Sequence, residues 1–272
     1  MTESDGLTLA EVAKRLGVHY MTVYRYVRTG RLRAQREGTQ WVVLESELSR
    51  FDVDRHAIAL APRDGSTGDP VTRLADRLLD GDEHGAWTIA QESLAGGATP
   101  TNLYQVLFAP AMRTIGDRWA RGEVTIADEH RASVVMARLI GRSGPLFRSR
   151  GTRIGTVVVG APAGEMHGLA TSLAADILRA RRFDVVDLGA DVPIDAFVQC
   201  VCDTNRLVAV AISVVTQGSQ LSAGHLVDAL RRADVRAPIY VGGAGVDVAS
   251  AFELGADHWA PDVSVVASAL SN

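Results

Sequence analysis

Hydrophobic positions near the start of the chain recur at the spacing of a short amphipathic helix. Leu9, Val12 and Leu16 fall on one helical face. Thr8 stands just before this run, and Glu11 follows it by three positions, which is the pattern of a capping box. We therefore expect a capped helix that begins directly after Thr8.

The pattern continues with a second short helix and a hairpin. Residues 20–30 predict a helix after a glycine-containing turn, and residues 32–44 predict the two strands of a wing. Residues 45–51 predict a last helix. The order helix, helix, wing, helix indicates a winged helix-turn-helix domain over residues 1–52.

Two segments of different character follow. Residues 53–70 contain Pro, Gly and Ser without any period and are expected to form a linker. Residues 71–149 show helical spacing interrupted at glycines, which predicts a four-helix bundle. One stripe of this bundle recurs every four residues and is expected to be buried: Leu103, Leu107, Ala111, Ile115 and Trp119.

Residues 150–272 alternate between strand and helix. Apolar runs predict strands at 154–159, 185–188, 207–213 and 239–241, with helices between them. This alternation indicates a parallel, doubly wound α/β sheet of the flavodoxin-like, Rossmann-like kind, in a multidomain chain. Ligands of such sheets bind at the carboxyl ends of the strands, so the residues after three of these strands become candidate site residues.

The amino-acid composition indicates which classes of protein this chain can belong to. The chain has 272 residues, of which 47% are hydrophobic and 22% charged, as in ordinary globular proteins. No apolar run is long enough to span a bilayer, and no basic-then-apolar leader is present at the start. Cys200 and Cys202 are too close together in the sequence to form a disulfide that stabilises the fold. We expect a cytoplasmic protein without a membrane partner.

Charge is distributed unevenly. The net charge is -4, yet residues 14–36 contain seven basic and no acidic side chains. Such a run is often only a solvated face, but on a helix-turn-helix it favours binding to a polyanion.

The predicted N-terminal domain, residues 1–52 and called the head below, resembles the excisionase and MerR-like winged helix-turn-helix families. The resemblance is carried by Ala10-Glu11-Val12-Ala13, Thr22-Val23-Tyr24-Arg25 and Gly30-Arg31-Leu32. The resemblance implies a double-stranded DNA operator as partner, bound by a homo-oligomer, either a dimer or a tetramer. It places four side chains in the major groove, namely His19, Tyr20, Thr22 and Arg25, and four at phosphates, namely Arg28, Arg31, Arg33 and Arg36. A protein-binding winged helix is the alternative.

The loop after the first predicted strand of the sheet offers a metal ligand. His167 stands two residues after Glu165, and a carboxylate at that distance can hold one ring nitrogen while the other binds a metal. An exposed loop histidine is the alternative. No Gly-x-Gly-x-x-Gly follows this strand, so a dinucleotide site is not supported.

This region resembles cobalamin-binding domains, through Glu165-Met166-His167-Gly168, Ser213-Val214-Val215 and Gly242-Gly243. The resemblance implies bound cobalamin, with His167 as the lower cobalt ligand and Glu165 as its orienting partner. It also implies that the later residues bind the cofactor, with Ser213, Gly242 and Gly243 lining a slot for the nucleotide tail beside Val215. The chain departs from the family pattern with Glu165 for Asp, Ala170 for Gly and Val215 for Leu.

The bundle resembles that of the CarH/LitR cobalamin-dependent photoreceptor regulators, through Trp119 and, after nine residues, Glu129-His130. The resemblance implies that these three residues lie at the upper face of the cofactor and that the ligand is adenosylcobalamin. It implies a light-responsive repressor, which is not an enzyme. Ala120 stands where that family often has a second histidine. The alternatives are a corrinoid methyl-transfer shuttle and a regulator that senses another small molecule.

Overall fold

A computed structural model describes residues 6–16, 23, 27, 32–37, 40–48, 51 and 68–271. The chain divides into two compact units, one of residues 1–75 and 87–114, the other of residues 76–86 and 115–272. Among the described residues, no helix is both long enough and apolar enough to cross a membrane.

The N-terminal head contains a small antiparallel sheet and a capped helix. Its elements are β1 (Gly6–Thr8), α1 (Leu9–Leu16), β2 (Gln35–Glu37) and β3 (Gln40–Leu44), and the strand order is β1-β3-β2. The predicted wing hairpin is confirmed as β2 and β3, whereas β1 was not predicted. Only Val23 and Val27 of the predicted second helix are among the described residues, and both are helical.

The predicted cap of α1 is confirmed. The Thr8 amide donates to Glu11 Oε2 over 2.8 Å, and the Glu11 amide donates to Thr8 Oγ1 over 3.4 Å. These reciprocal bonds satisfy two backbone donors that the first helical turn leaves free. Leu9, Val12 and Leu16 are buried, as their spacing predicts.

Four helical stretches follow, as predicted. They are α2 (Pro70–Asp80), α3 (Glu83–Ala95), a run made of α4 (Pro100–Asn102), a π-helical turn (Leu103–Phe108) and α5 (Ala109–Ala120), and finally α6 (Ile126–Ser143). A short 3₁₀ turn, Gly144–Phe147, leads out of α6. The predicted stripe is buried from Leu103 to Ile115, but Trp119, its last member, is 51% exposed. The prediction that Trp119 is buried is therefore wrong.

The C-terminal region is a five-stranded parallel sheet with helices on both faces. The strands are β4 (Thr156–Gly160), β5 (Asp184–Asp187), β6 (Leu207–Ser213), β7 (Ile239–Gly242) and β8 (His258–Trp259). The helices between and after them are α7 (Gly168–Ala180), α8 (Ile194–Asp203), α9 (Gln220–Arg232), α10 (Val248–Glu253) and α11 (Val263–Ala269). The strand order is β5-β4-β6-β7-β8, which confirms the doubly wound prediction.

The sheet is buried because its strands are apolar on both sides. Val158 of β4 contacts one hydrophobic cluster, and its neighbours Val157 and Val159 contact another. Successive strand residues point to opposite faces, so a continuous valine run serves two layers of helices. This arrangement brings the carboxyl ends of β4, β6 and β7 side by side.

Candidate functional site

Three loops leave the sheet at neighbouring strand ends. Ala161–His167 follow β4, Val214–Ser219 follow β6, and Gly243–Asp247 follow β7. Because β6 pairs with both β4 and β7, the loop after β6 lies between the other two. The prediction that these segments share one edge of the sheet is confirmed.

Glu165 joins the first of these loops to the second. Its side chain is fully buried, and its Oε2 accepts hydrogen bonds from the backbone amides of Val215 over 2.9 Å and Thr216 over 2.7 Å. The Thr216 hydroxyl lies 3.4 Å from Oε1. A buried carboxylate is stable only when its lone pairs are satisfied, and a chain segment about fifty residues away supplies these donors.

His167 is held by the same carboxylate. Its Nδ1 lies 2.5 Å from Glu165 Oε1, and its backbone amide donates to that oxygen over 3.2 Å. The imidazole is 54% exposed, and its Nε2 has no hydrogen-bond partner within the described parts of the chain. A carboxylate at Nδ1 favours a proton on that nitrogen, which leaves the Nε2 lone pair free to bind a metal.

Thr216 is a site residue that the sequence analysis did not single out. Its hydroxyl lies 3.3 Å from His167 Nδ1, so hydroxyl, imidazole and carboxylate form one group. Its place in the chain, three residues past the end of β6 at the ligand edge, was the available signal.

The contacts of Glu165 determine its charge. Burial raises the pKa of this carboxyl, but the hydrogen bonds from Thr216, His167 and Val215 outweigh burial, and the net effect lowers the pKa below its ordinary value. The side chain is therefore an anion at neutral pH, which strengthens its hold on His167 Nδ1.

Glu165→Gln is expected to lower the free energy of unfolding by about 2 kcal/mol near neutral pH, because an amide replaces a charged acceptor. Since the folded pKa is lowered, this stabilisation is complete above the unfolded pKa of about 4.3 and disappears as the pH falls through the folded pKa. The difference in free energy of unfolding between this variant and the wild type should therefore disappear in acid. Urea unfolding at neutral pH and at a series of acidic pH values measures it, and a difference that shows no decrease as the pH falls would contradict the assigned charge.

The other predicted cofactor residues occupy the same edge. Ser213 pairs with Gly242 across β6 and β7, and Val215 contributes its backbone amide to Glu165. A Cβ on Gly242 would overlap the carbonyl oxygen of Ala260, and one on Gly243, whose φ is +122°, would overlap that of Val214. These glycines are required for the close approach of the protein's own loops. That they also line a slot for the nucleotide tail stays a prediction.

The donor set fits cobalamin. Among the described residues, no three His, Cys, Asp or Glu side chains are placed to hold a bare metal ion. A corrin ring supplies the equatorial ligands of its cobalt, so a single imidazole with a free Nε2 is enough from the protein. The edge offers such an imidazole at His167, with its other nitrogen fixed by Glu165.

The predicted upper-face residues lie on the helices. Glu129 Oε2 lies 3.0 Å from His130 Nδ1, and the Ser133 hydroxyl donates to Glu129 Oε1 over 2.8 Å. Trp119 and His130 are both exposed. In the part of the chain that the structure describes, no hydrogen bond joins Trp119, Glu129 or His130 to the loop of His167. Their role at the upper face stays a prediction.

Two of the predicted DNA-contacting residues are among the described residues. Arg33 and Arg36 are exposed, and the guanidinium of Arg36 lies 5.9 Å from the centre of the Trp41 ring. The other six lie outside the described residues: His19, Tyr20, Thr22, Arg25, Arg28 and Arg31.

Comparison with protein families matches three parts of the chain. Models described as B12 binding domain match residues 71–142 and 155–267, and a model described as helix-turn-helix domain matches residues 7–51. These matches agree with the observed helical region, parallel sheet and head, although for the winged helix-turn-helix this one match is weak support.

The curated relatives are corrinoid proteins. The trimethylamine corrinoid protein of Methanosarcina barkeri is 30% identical over 192 residues, which are 69% of this chain and 88% of that protein. The dimethylamine corrinoid protein of the same organism is 24% identical over 198 residues, or 71% and 90% of the two chains. Among solved structures, the M. barkeri monomethylamine corrinoid protein shares the fold, with a TM-score of 0.65, 21% identity, and coverage of 74% of this chain and 97% of that one.

These relatives correct two expectations. Over most of its length the chain is similar to methylamine corrinoid proteins, whereas the bundle motif suggested the CarH/LitR regulators. The predicted partner, a double-stranded DNA operator bound by a homo-oligomer, is wrong on the same finding. The motif of Trp119, Glu129 and His130 misled because it rests on three positions, whereas the similarity to the trimethylamine corrinoid protein extends over 192 residues.

Proposed function

This chain belongs to the corrinoid protein family and binds cobalamin, and from that premise we propose that it carries a methyl group on cobalt between partner methyltransferases. One observation supports the proposal most directly: His167 has one nitrogen fixed by a buried carboxylate and the other free at the sheet edge. In this proposal the chain is not itself an enzyme, since the partners catalyse the transfers.

Cobalamin, when bound, supplies a cobalt that accepts a methyl group from one partner and yields it to another. The protein's part would be to hold that cobalt through Nε2 of His167. Glu165 keeps the proton of the imidazole on Nδ1, and the amides of Val215 and Thr216 keep Glu165 charged and in place. These contacts would fix the tautomer and the orientation of the imidazole.

Trp119 belongs to the same proposal. Its exposed indole is available to cover the upper face of the corrin and to limit access to the methyl group. Glu129 and His130 are proposed to line the same face. The carrier needs no histidine beside Trp119, which agrees with Ala120 at that position.

A second candidate function rests on the match of residues 7–51 to a helix-turn-helix model, a feature that the carrier role does not use. In that alternative the chain is a cobalamin-responsive regulator, and adenosylcobalamin makes it sensitive to light. A light-dependent change in limited proteolysis, in protein that transfers no methyl group, would favour this candidate.

The carrier role is tested by methyl transfer from the bound cofactor. The full chain is loaded with methylcobalamin, freed of excess ligand and mixed with a thiol, and visible absorbance follows loss of the methyl group. Addition of a cobalamin-dependent thiol methyltransferase should accelerate the loss at least about tenfold, which is a change of about 1.4 kcal/mol in the activation free energy. Free methylcobalamin with the same enzyme is the positive control. A protein-bound methyl group that stays inert while free methylcobalamin is consumed would contradict the proposal.

A further inference from the structure

The loop after β5 runs alongside the loop that carries His167. The Ala161 amide donates to the Gly189 carbonyl over 2.8 Å, and the Val192 amide donates to the Ala161 carbonyl over 3.1 Å. Pro162 forms an isolated parallel bridge with Val192. These contacts continue the pairing of β4 with β5 beyond the ends of both strands, so the position of one loop determines that of the other.

Asp191 makes the two contacts closest to the ligand residues. Its Oδ1 accepts a hydrogen bond from the Gly164 amide over 2.8 Å, and its own amide donates to the Glu165 carbonyl over 2.8 Å. One residue therefore binds the backbone at the start and at the end of the Gly164-Glu165 dipeptide. To do so it adopts a left-handed backbone conformation, with φ of +54°, which side chains other than Asn and Asp rarely take.

Glu165 is consequently held from two directions. Asp191 fixes its backbone from the β5 side, and the amides of Val215 and Thr216 fix its carboxylate from the β6 side. The carboxylate of Glu165 contacts the imidazole ring of His167 at Nδ1. A shift of the Glu165 backbone would move the imidazole with it, because the link between them is only two residues long.

We infer that Asp191 is a positioning residue for the cobalt ligand, which holds His167 where Nε2 can bind the metal. The inference rests on the proposed function only in taking cobalamin as the ligand; it does not depend on methyl transfer. Sequence position did not suggest this role, because Asp191 lies 24 residues beyond His167, in a loop of its own.

Three substitutions separate the side chain of Asp191 from its backbone conformation. Asp191→Asn keeps the acceptor oxygen and tolerates the left-handed conformation. Asp191→Gly keeps the conformation but removes the acceptor. Asp191→Ala loses the acceptor and is strained as well. Asp234, which also has a left-handed backbone, with φ of +57°, lies after α9 and outside the site, so Asp234→Gly is the matched control.

Each variant of the full chain is titrated with methylcobalamin, and absorbance reports both affinity and the fraction of bound cofactor that lacks a lower nitrogen ligand. Asp191→Gly and Asp191→Ala should bind about 10-fold more weakly, at the lower end of the loss when a partner of a metal ligand is removed, because Asp191 acts through Glu165, and should show the ligand-free spectrum. Asp191→Asn should restore the wild-type affinity and spectrum, and Asp234→Gly should retain both. Urea unfolding without cofactor shows that Asp191→Gly is folded.

Folded Asp191→Gly that binds with wild-type affinity and an unchanged spectrum would overturn the inference. The carrier role is judged separately, by the thiol methyltransferase assay on the wild type. If that assay fails while Asp191→Gly still loses the lower ligand, Asp191 remains a positioning residue in a protein of another function. If transfer succeeds and Asp191→Gly binds normally, the inference about Asp191 is wrong and the carrier role stands.

Discussion

Replacing His167 with alanine is expected to weaken cobalamin binding by about 100-fold or more, because it removes the ligand itself, whereas loss of a ligand's hydrogen-bond partner already costs about 10- to 100-fold. The folded protein should survive the change, since the imidazole is more than half exposed and contributes little to the core. A spectral titration with methylcobalamin measures the affinity, and the bound fraction should show cobalt without a lower nitrogen ligand.

His225→Ala is the matched control for this experiment. His225 is an exposed histidine on α9, so its removal changes composition in the same way without touching the ligand loop. It should leave affinity and spectrum unchanged. Equal binding by His167→Ala and His225→Ala would show that His167 is not a cobalt ligand.

Gly242→Ala should have the second large effect, on stability. The added Cβ would overlap the carbonyl oxygen of Ala260, and that residue cannot retreat easily, because its amide is hydrogen-bonded to the Val241 carbonyl over 3.0 Å. Because the clash is with a backbone carbonyl, no side-chain rotation can relieve it. We expect a loss of about 3 kcal/mol or more in the free energy of unfolding, at the upper end of overpacking effects.

Gly141→Ala provides the opposite expectation in the same protein. Gly141 lies within α6 with nothing within 4 Å of its Cβ position, so alanine should stabilise the fold by about 0.5–1 kcal/mol through its higher helix propensity. Urea unfolding of both variants gives the two values. A Gly242→Ala protein as stable as the wild type would show that β7 and β8 are not packed as described.

Local patterns predicted the elements of the fold well. The boundaries of β6 agree with the apolar run 207–213, and the other predicted strands of the parallel sheet agree to within two residues. These successes share a cause, since a buried parallel strand must be apolar along its length and the adjoining helices must cover it. The three-residue β1 escaped prediction because its pairing with β3 joins residues that are 34 to 38 positions apart in the chain.

The candidate site was predictable only in part. His167 and Glu165 lie two residues apart, so their pairing follows from local chemistry, and the structure places them in contact. Thr216 and Asp191 reach the same carboxylate-bearing segment from separate loops. The position of Thr216 just after β6 indicates the ligand edge, but no spacing rule indicates its contact with Glu165 or that of Asp191. The glycines at the end of β7, Gly242 and Gly243, were predicted as room for a ligand, but their geometry reflects the approach of Ala260 and Val214.

Coordination of cobalt by His167 is tested most directly by electron paramagnetic resonance of the bound cofactor in its cobalt(II) state. The protein is prepared once with natural histidine and once with histidine labelled with nitrogen-15, whose nuclear spin differs. If Nε2 of His167 binds the metal, the splitting from the lower ligand should change from a triplet to a doublet on labelling. A triplet that persists in the labelled protein would place another nitrogen, such as the cofactor's own base, beneath the cobalt and would contradict this account.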